Sequence, residues 1–403
     1  MLKIFYVSCL VLPFVLGVPI KEEENVPSSN LDTKFIFPDP AELARRKGYN
    51  AETHQVTTED GYILQMHRVT GRQNSSKPKP AVLLLHGLFD CAATWVISDP
   101  TRSLAFLLSD RGYDVWLGNV RGSRYSRKHR VMNTTNGKFW KFSWHEIGTY
   151  DVPAMIDYII EKTKQEKIYY IGHSQGGTSF FVMASERPEY QKKIIASFNL
   201  APAVFMGNSR NAFLRLLAPF ASDLKALGDL IGLYEFMPSQ TLLKILATKG
   251  CQENAPLMPM CKNIMFLAAG VDKELNTTLV PQVVRYDPAG ASVMQLVHYG
   301  QLMNSGKFQR FDHGLITNLQ TYKQIQPPQY NLNNITVPVY ILYSTNDALV
   351  DYKDSIRLSE VVPSAEKLLI PNKDYAHLDF VWGNNVDSLV YNKIFSLLKQ
   401  YKS

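Results

Sequence analysis

A serine at the apex of a strand-to-helix turn constrains this chain more than any other feature. Gly172-His173-Ser174-Gln175-Gly176 follows the apolar run Lys167-Ile168-Tyr169-Tyr170-Ile171. It precedes a helix-like segment, Gly177-Thr178-Ser179-Phe180-Phe181-Val182-Met183-Ala184. The G-x-S-x-G spacing alone is weak, because unrelated chains carry it by chance. In a strand-turn-helix setting it is specific: the turn holds the hydroxyl strained and exposed, where a base can take its proton. Gly172 and Gly176 then have a mechanical reason to lack a Cβ, because strand and helix backbones approach closely there. The bland alternative is a glycine-rich βα turn with an idle serine.

The flanking sequence predicts the sheet this turn belongs to. Ala81-Val82-Leu83-Leu84-Leu85 is a continuous apolar run ending in His86-Gly87, as a strand buried on both faces requires. Further strands are expected at Tyr113 to Leu117, Ile168 to Ile171 and Ile194 to Leu200, with helices at Ser103 to Arg111 and His145 to Lys164. His54 to Thr58 and Tyr62 to Val69, joined by Glu59-Asp60-Gly61, read as a hairpin. Strands alternating with helices indicate an α/β fold, a mostly parallel sheet with helices on both faces. The alternation stops near Val204 and resumes at Val337 to Tyr343 and Lys367 to Ile370. The intervening residues, 205 to 330, are richer in amphipathic helix, with candidates at Asn211 to Leu233 and Ser239 to Ala247. They are expected to form a helical cap and lid inserted over the sheet, dividing the core into residues 35–204 and 331–403.

A serine nucleophile needs a base and a group to orient it. In the fold class of this turn the chain order is serine, acid, histidine, each on a loop after a successive strand. Asp347 follows the Val339 to Tyr343 strand, and His377 follows Leu368 to Ile370. The rivals are Asp351, Asp374 and Asp379; Asp351 reads as a helix cap, and Asp379 is too close to His377 along the chain. His86, His145, His173, His298 and His313 have no comparable placement. The oxyanion donors are expected to be the backbone N–H groups of Gln175 and Leu88, with Phe89 as the neighbouring alternative. No His-Glu-x-x-His pair, Cys/His cluster or phosphate-binding glycine loop is present, so neither a metal nor a cofactor is expected.

Composition sets the compartment. Lys3 followed by the apolar stretch Ile4 to Leu16 reads as a signal peptide over residues 1–17, too short to span a bilayer. An acidic, flexible leader is expected over 18–34, and no later stretch resembles a transmembrane helix. Sequons at Asn74, Asn133, Asn276 and Asn334 fit a secretory route. An oxidising compartment favours a Cys251–Cys261 bridge and leaves Cys91 as a small buried hydrophobe. The formal net charge is +7, and the densest basic cluster, Arg121 to Arg130, reads as a solvated loop. Without a recognisable binding module it gives no nucleic-acid reading.

The chain resembles the acid lipase family, which includes gastric, lingual and lysosomal acid lipases and insect relatives. The resemblance runs from about Pro38 to the end. It rests on Lys47-Gly48-Tyr49 with His54 to Leu64, on Leu84-Leu85-His86-Gly87-Leu88 and on Gly118-Asn119-Val120-Arg121-Gly122-Ser123. Phe139 to Trp144, Gly172 to Gly177 and His377-Leu378-Asp379-Phe380 complete it. It implies an α/β-hydrolase fold, the triad Ser174, Asp347 and His377, oxyanion donors at Leu88 and Gln175, and a Cys251–Cys261 disulfide. It also implies hydrolysis of triacylglycerols or cholesteryl esters at a lipid–water interface, by a secreted or lysosomal enzyme. The loop between the cysteines carries its own proline-rich sequence, so acyl-chain preference does not carry over. Two other readings are a carboxylesterase for small soluble esters and a non-enzymatic lipid-binding or storage protein. Oligomeric state is not legible.

Overall fold

The computed structural model describes residues 38–73, 78–236 and 273–401. The signal-like segment, the leader, Asn74, Cys251, Cys261 and the helix candidate at Ser239 to Ala247 lie outside the described residues.

The strands are β1 (Asn50–Thr57), β2 (Tyr62–Gly71), β3 (Ala81–Leu85), β4 (Asp114–Gly118) and β5 (Lys128–His129). They continue with β6 (Ile168–His173), β7 (Ile194–Leu200), β8 (Glu235–Phe236), β9 (Ala291–Ser292), β10 (Val339–Tyr343) and β11 (Ala365–Leu369). Nine of them form one sheet in the order β1-β2-β4-β3-β6-β7-β10-β11, with β5 paired to β2. From β4 to β11 every pairing is parallel. β1, β2 and β5 join antiparallel at one side. The hairpin turn is held by Thr58, whose hydroxyl donates to Asp60 at 2.6 Å.

The apolar run of β3 is continuous because both its faces are covered. Leu83 and Leu85 pack with Met155, Ile156 and Phe180 on one side of the sheet. Val82 and Leu84 pack with Trp95, Phe106 and Ile394 on the other. The helices doing this include α1 (Pro40–Arg46), α2 (Leu104–Asp110), α3 (Val152–Thr163) and α4 (Gln175–Glu186). Helix α3 enters through a π-turn over Ile147–Asp151, so the helix expected from His145 to Lys164 is interrupted.

Between β7 and β10 the chain forms α5 (Ala212–Leu217), α6 (Ala221–Ile231), α7 (Val280–Tyr286), α8 (Val293–Ser305) and α9 (Leu315–Tyr322). The helix expected over Asn211 to Leu233 is split by a 3-10 turn at Ala218–Phe220, where Pro219 cannot continue the α-helical hydrogen bonding. Helix α8 starts at a capping box between Ser292 and Gln295. It is fixed to the core through His298, whose ring stacks on Trp144 with centroids 3.7 Å apart. After β10 come α10 (Tyr352–Val361) and α11 (Asn392–Lys399). No helix among the described residues is long and apolar enough to cross a membrane.

The basic stretch from Arg121 is not simply solvated. Arg121 is buried and binds Asp60 through two nitrogens, at 2.6 and 2.9 Å, and Asp151 through Nε at 2.7 Å. Ser123 and Ser126 are buried as well. A guanidinium with two carboxylates to bind loses less by leaving water, which the charge count alone could not reveal.

Candidate active site

Ser174 joins β6 to α4 with φ +51° and ψ −113°, a conformation that L-residues rarely adopt. Neighbouring hydrogen bonds impose it. The Ser174 N–H donates to Leu200 O at 2.9 Å, and its carbonyl accepts from Thr178 N at 3.1 Å. A Cβ on Gly172 would lie 2.6 Å from the Gly176 carbonyl carbon, and one on Gly176 would run into the Leu85 carbonyl oxygen. The close approach expected at this turn is therefore present, but Ser174 is buried rather than exposed, because the loop after β3 packs against its Cβ.

Asp347 lies on the loop after β10, and His377 on the loop after β11. His377 Nδ1 is 2.7 Å from Asp347 Oδ2. The other carboxylate oxygen, Oδ1, accepts from the N–H groups of Leu349 and Val350 at 2.9 and 2.8 Å. With Nδ1–H donating to the carboxylate, the histidine's Nε2 is left with its lone pair. Arg210 supports the acid loop by donating to the carbonyls of Thr345 and Asp347 at 2.8 and 2.9 Å. Asn346 links it to the histidine loop through Asp374 O at 3.0 Å. The rival carboxylates have other work. Asp351 caps α10, accepting from Lys353 N at 2.9 Å, and Asp379 accepts from Ala376 N at 2.7 Å. Asp374 pairs with Lys273 at 2.8 Å.

His377 and the serine turn meet through His173. The two rings are 5.0 Å apart, and His173 Nε2 lies 3.1 Å from the His377 carbonyl oxygen. The loop after β3 packs against the same turn, since a Cβ placed on Gly87 would stand 3.3 Å from both Ser174 Cβ and His173 Nδ1. Leu88 and Phe89 follow, Phe89 at φ +66°. Gln175 opens α4, where the first N–H groups have no intrahelical acceptor and the helix dipole favours negative charge. Its side-chain oxygen accepts from Gln295 of α8 at 3.0 Å, tying this helix end to the segment between β7 and β10.

His86 and His173, set aside on sequence grounds, are part of this architecture. His86 Nδ1 is 2.8 Å from Gly87 O, and its Nε2 accepts from Val120 N at 3.3 Å. Those two bonds fix a neutral ring. Burial lowers its pKa to about 4, and burial with the neighbouring His377 lowers that of His173 to about 3. The sequence signal was available in His86-Gly87 and His173-Ser174, where each histidine adjoins a residue of the expected site. Cys91 is buried, and its thiol is pushed well above the usual range by burial and by the carboxyls of Asp287 and Asp90. An inert thiol fits its reading as a small hydrophobe.

Two families match the chain. A partial alpha/beta-hydrolase lipase region covers residues 40–99, and the alpha/beta hydrolase fold covers residues 80–221. Lipase 3 of Drosophila melanogaster is 42% identical over 90% of this chain and 93% of its own. The human lysosomal acid lipase/cholesteryl ester hydrolase is 38% identical over 90% of this chain and 91% of its own. Bovine gastric triacylglycerol lipase is 38% identical over 88% and 89%. Among solved structures, a soluble variant of Saccharomyces cerevisiae monoglyceride lipase superposes with a TM-score of 0.52 at 16% identity, over 87% of this chain and 95% of its own. That likeness bears on the fold alone. Together with the nine-stranded sheet and the serine turn, these relatives place the chain in the acid lipase family, carboxylic ester hydrolases of the α/β-hydrolase fold.

Proposed function

We propose that this chain hydrolyses lipid carboxylic esters, triacylglycerols or cholesteryl esters, through an acyl-enzyme on Ser174. The observation that carries the reading is the 2.7 Å contact between His377 and Asp347 on loops beside the serine turn. Ser174 Oγ attacks the ester carbonyl carbon while His377 Nε2 takes the hydroxyl proton. The bond to the alcohol oxygen breaks, and His377 returns the proton to that oxygen. Water then attacks the acyl carbon and gives its proton to His377. The fatty acid leaves as Ser174 recovers its proton. Asp347 holds the imidazole's orientation and stabilises its charged form. The backbone N–H groups of Leu88 and Gln175 receive the oxyanion, each worth about a hundredfold to a thousandfold in rate.

The names of the relatives support the substrate class, since one acts on triacylglycerol and another on cholesteryl ester. Exposed apolar side chains support work at a lipid–water interface. Leu216, Phe220, Leu230 and Ile231 lie on and around α5 and α6, and Leu315, Ile316, Leu319 and Ile325 on and after α9. Together they favour the lipase reading over an esterase for soluble substrates. Residues 205 to 330 act, on this reading, as a cap and lid over the site, closed by a Cys251–Cys261 bridge. The signal-like segment and the sequons at Asn74, Asn133, Asn276 and Asn334 support secretion or lysosomal delivery. The side chains of Asn133 and Asn334 are exposed, as an acceptor must be.

The test is hydrolysis of a short soluble ester, an emulsified triacylglycerol and a cholesteryl ester, on both sides of neutral pH, by wild type and Ser174→Ala. Faster turnover of emulsified lipid, abolished in the variant, is the expected result. Activity confined to the soluble ester would move the assignment to a carboxylesterase.

A further inference from the structure

The loop that carries Leu88 runs on into Asp90, whose carboxyl is buried. It faces Asp287, the residue after α7. A carboxylate oxygen of each and the Cys91 sulfur lie within 4.8 Å of one another. Both Asp287 oxygens are sealed from solvent and receive no ordinary N–H or O–H donor among the described residues. Asp90 Oδ1 accepts from Cys91 N at 2.6 Å. The same seam carries a backbone bond from Ala289 N to Phe89 O.

Among the described residues, Arg124, Cys91 and Thr94 face the pair, and Tyr125 and Tyr286 stand beside Cys91 and Arg124. Arg124 donates to Tyr286 O at 3.1 Å, and its positive charge acts on Asp287. The Thr94 hydroxyl stands beside Asp90. Burial raises the pKa of Cys91, Tyr125 and Tyr286, so all three are neutral. Among the described residues, one guanidinium therefore faces two carboxyls. With both ionised the cluster would hold an uncompensated buried negative charge, which is costly. With one protonated it is neutral, and the proton supplies the hydrogen bond that the Asp287 oxygens lack.

We propose that Asp90 and Asp287 share a single proton, and that this proton clasps the Leu88 loop to the segment after α7, making Asp90 and Asp287 positioning residues for the oxyanion site. Burial raises Asp90 to about 7, and burial with the adjacent Asp90 raises Asp287 well above the ordinary carboxylate range. The Asp60–Arg121–Asp151 cluster has the same composition and a different solution. There the arginine donates directly to both carboxylates, and no shared proton is needed. A metal ion in place of the proton would have to sit against the Arg124 charge.

The sign follows from proton counting. Both carboxyls bind protons more tightly folded than unfolded, so their contribution to stability is complete below the ordinary carboxylate pKa. It is lost as pH rises through neutrality. Asp151, raised to about 6 by burial, acts over part of the same window, so the wild type must be compared with variants at the pair itself. The effect on turnover rests on the ester-hydrolase reading above; the shared proton does not.

The experiment measures melting temperature against pH for wild type, Asp287→Asn and Asp90→Asn, with Ser174→Ala as a further background. It also measures the pH profile of kcat/KM on a soluble ester. In Asp287→Asn the amide donates to Asp90 at every pH. The decline in melting temperature from acid to alkaline pH should flatten, and the alkaline limb of kcat/KM should move outward by about one pH unit, roughly tenfold in retained activity. Asp90→Asn exchanges the roles and carries the test if Asp287→Asn does not fold. Wild-type slopes in both variants would overturn the proposal. So would a chelator that lowers the melting temperature of the wild type and not of the variants, because a cation would then hold the pair together. A flattened melting slope in a protein with no hydrolytic activity would support the clasp and remove the esterase reading alone.

Discussion

Ser174, Asp347 and His377 are 7%, 1% and 2% exposed, whereas Leu230 on α6 and Ile316 on α9 are 82% and 71% exposed. The first group hangs from the ends of parallel strands, and main-chain hydrogen bonds fix the loops on either side. The second belongs to helices between β7 and β10 that present apolar side chains with no protein cover among the described residues. Serine chemistry requires positions held to within about half an ångström. A lipid surface requires area without register. On the proposed reading the chain separates these demands, with sheet ends for the reaction and helices outside the sheet for contact with the lipid phase. Gln295, reaching from α8 to Gln175, is a place where the two regions touch.

Substitutions should respect this division. Ser174→Ala is expected to lower kcat by about 10⁶-fold on soluble and emulsified substrates alike. A loss on emulsions only would break the division. Asp347→Asn should cost about 10⁴-fold on both, because the imidazole loses its orienting acceptor. Steady-state kinetics on the two substrate forms measures both effects. Leu230→Ser with Ile231→Ser should reduce activity on emulsified lipid by roughly tenfold, from the apolar area no longer available for burial. Soluble-ester activity should be unchanged, and an equal loss on both would mean that α6 shapes the site itself. The smallest effect concerns acid stability. His173 is neutral when folded, with its pKa lowered to about 3, so unfolding takes up a proton below the ordinary histidine value. Its contribution is present above about pH 6.5 and is lost as pH falls toward the folded value. His173→Asn should make the acid-side fall in melting temperature shallower by about 2 °C, visible in calorimetry.

The parallel sheet was legible because its determinants are local. The runs Ala81 to Leu85 and Ile194 to Leu200 coincide with β3 and β7; the first is wholly apolar, as a strand buried on both faces allows, and the second buries its two polar residues by letting Asn199 donate to Ser197. The order of Ser174, Asp347 and His377 could be read because each follows a strand. Arg121 was misread because its partners, Asp60 and Asp151, lie 61 and 30 residues away. Asp90 and Asp287 were invisible for the same reason. Nothing in either local sequence announces a buried carboxyl, and only the fold makes them neighbours. The π-turn before α3 was also missed, because Ile147 to Asp151 keeps a helical pattern while its hydrogen bonds reach one residue further.

The two outermost strands of the described sheet have a consequence for self-association. β1 exposes Glu52, Thr53 and Gln55, and β11 exposes Glu366 and Lys367 beside one apolar residue, Leu369. Strands with free polar backbone groups are templates for another chain, and charged side chains along such a margin discourage recruitment. This sheet is therefore poorly suited to growing by the addition of a copy of itself. Concentrated protein should associate, if at all, through its greasy helical surface, and detergent rather than salt should disperse it.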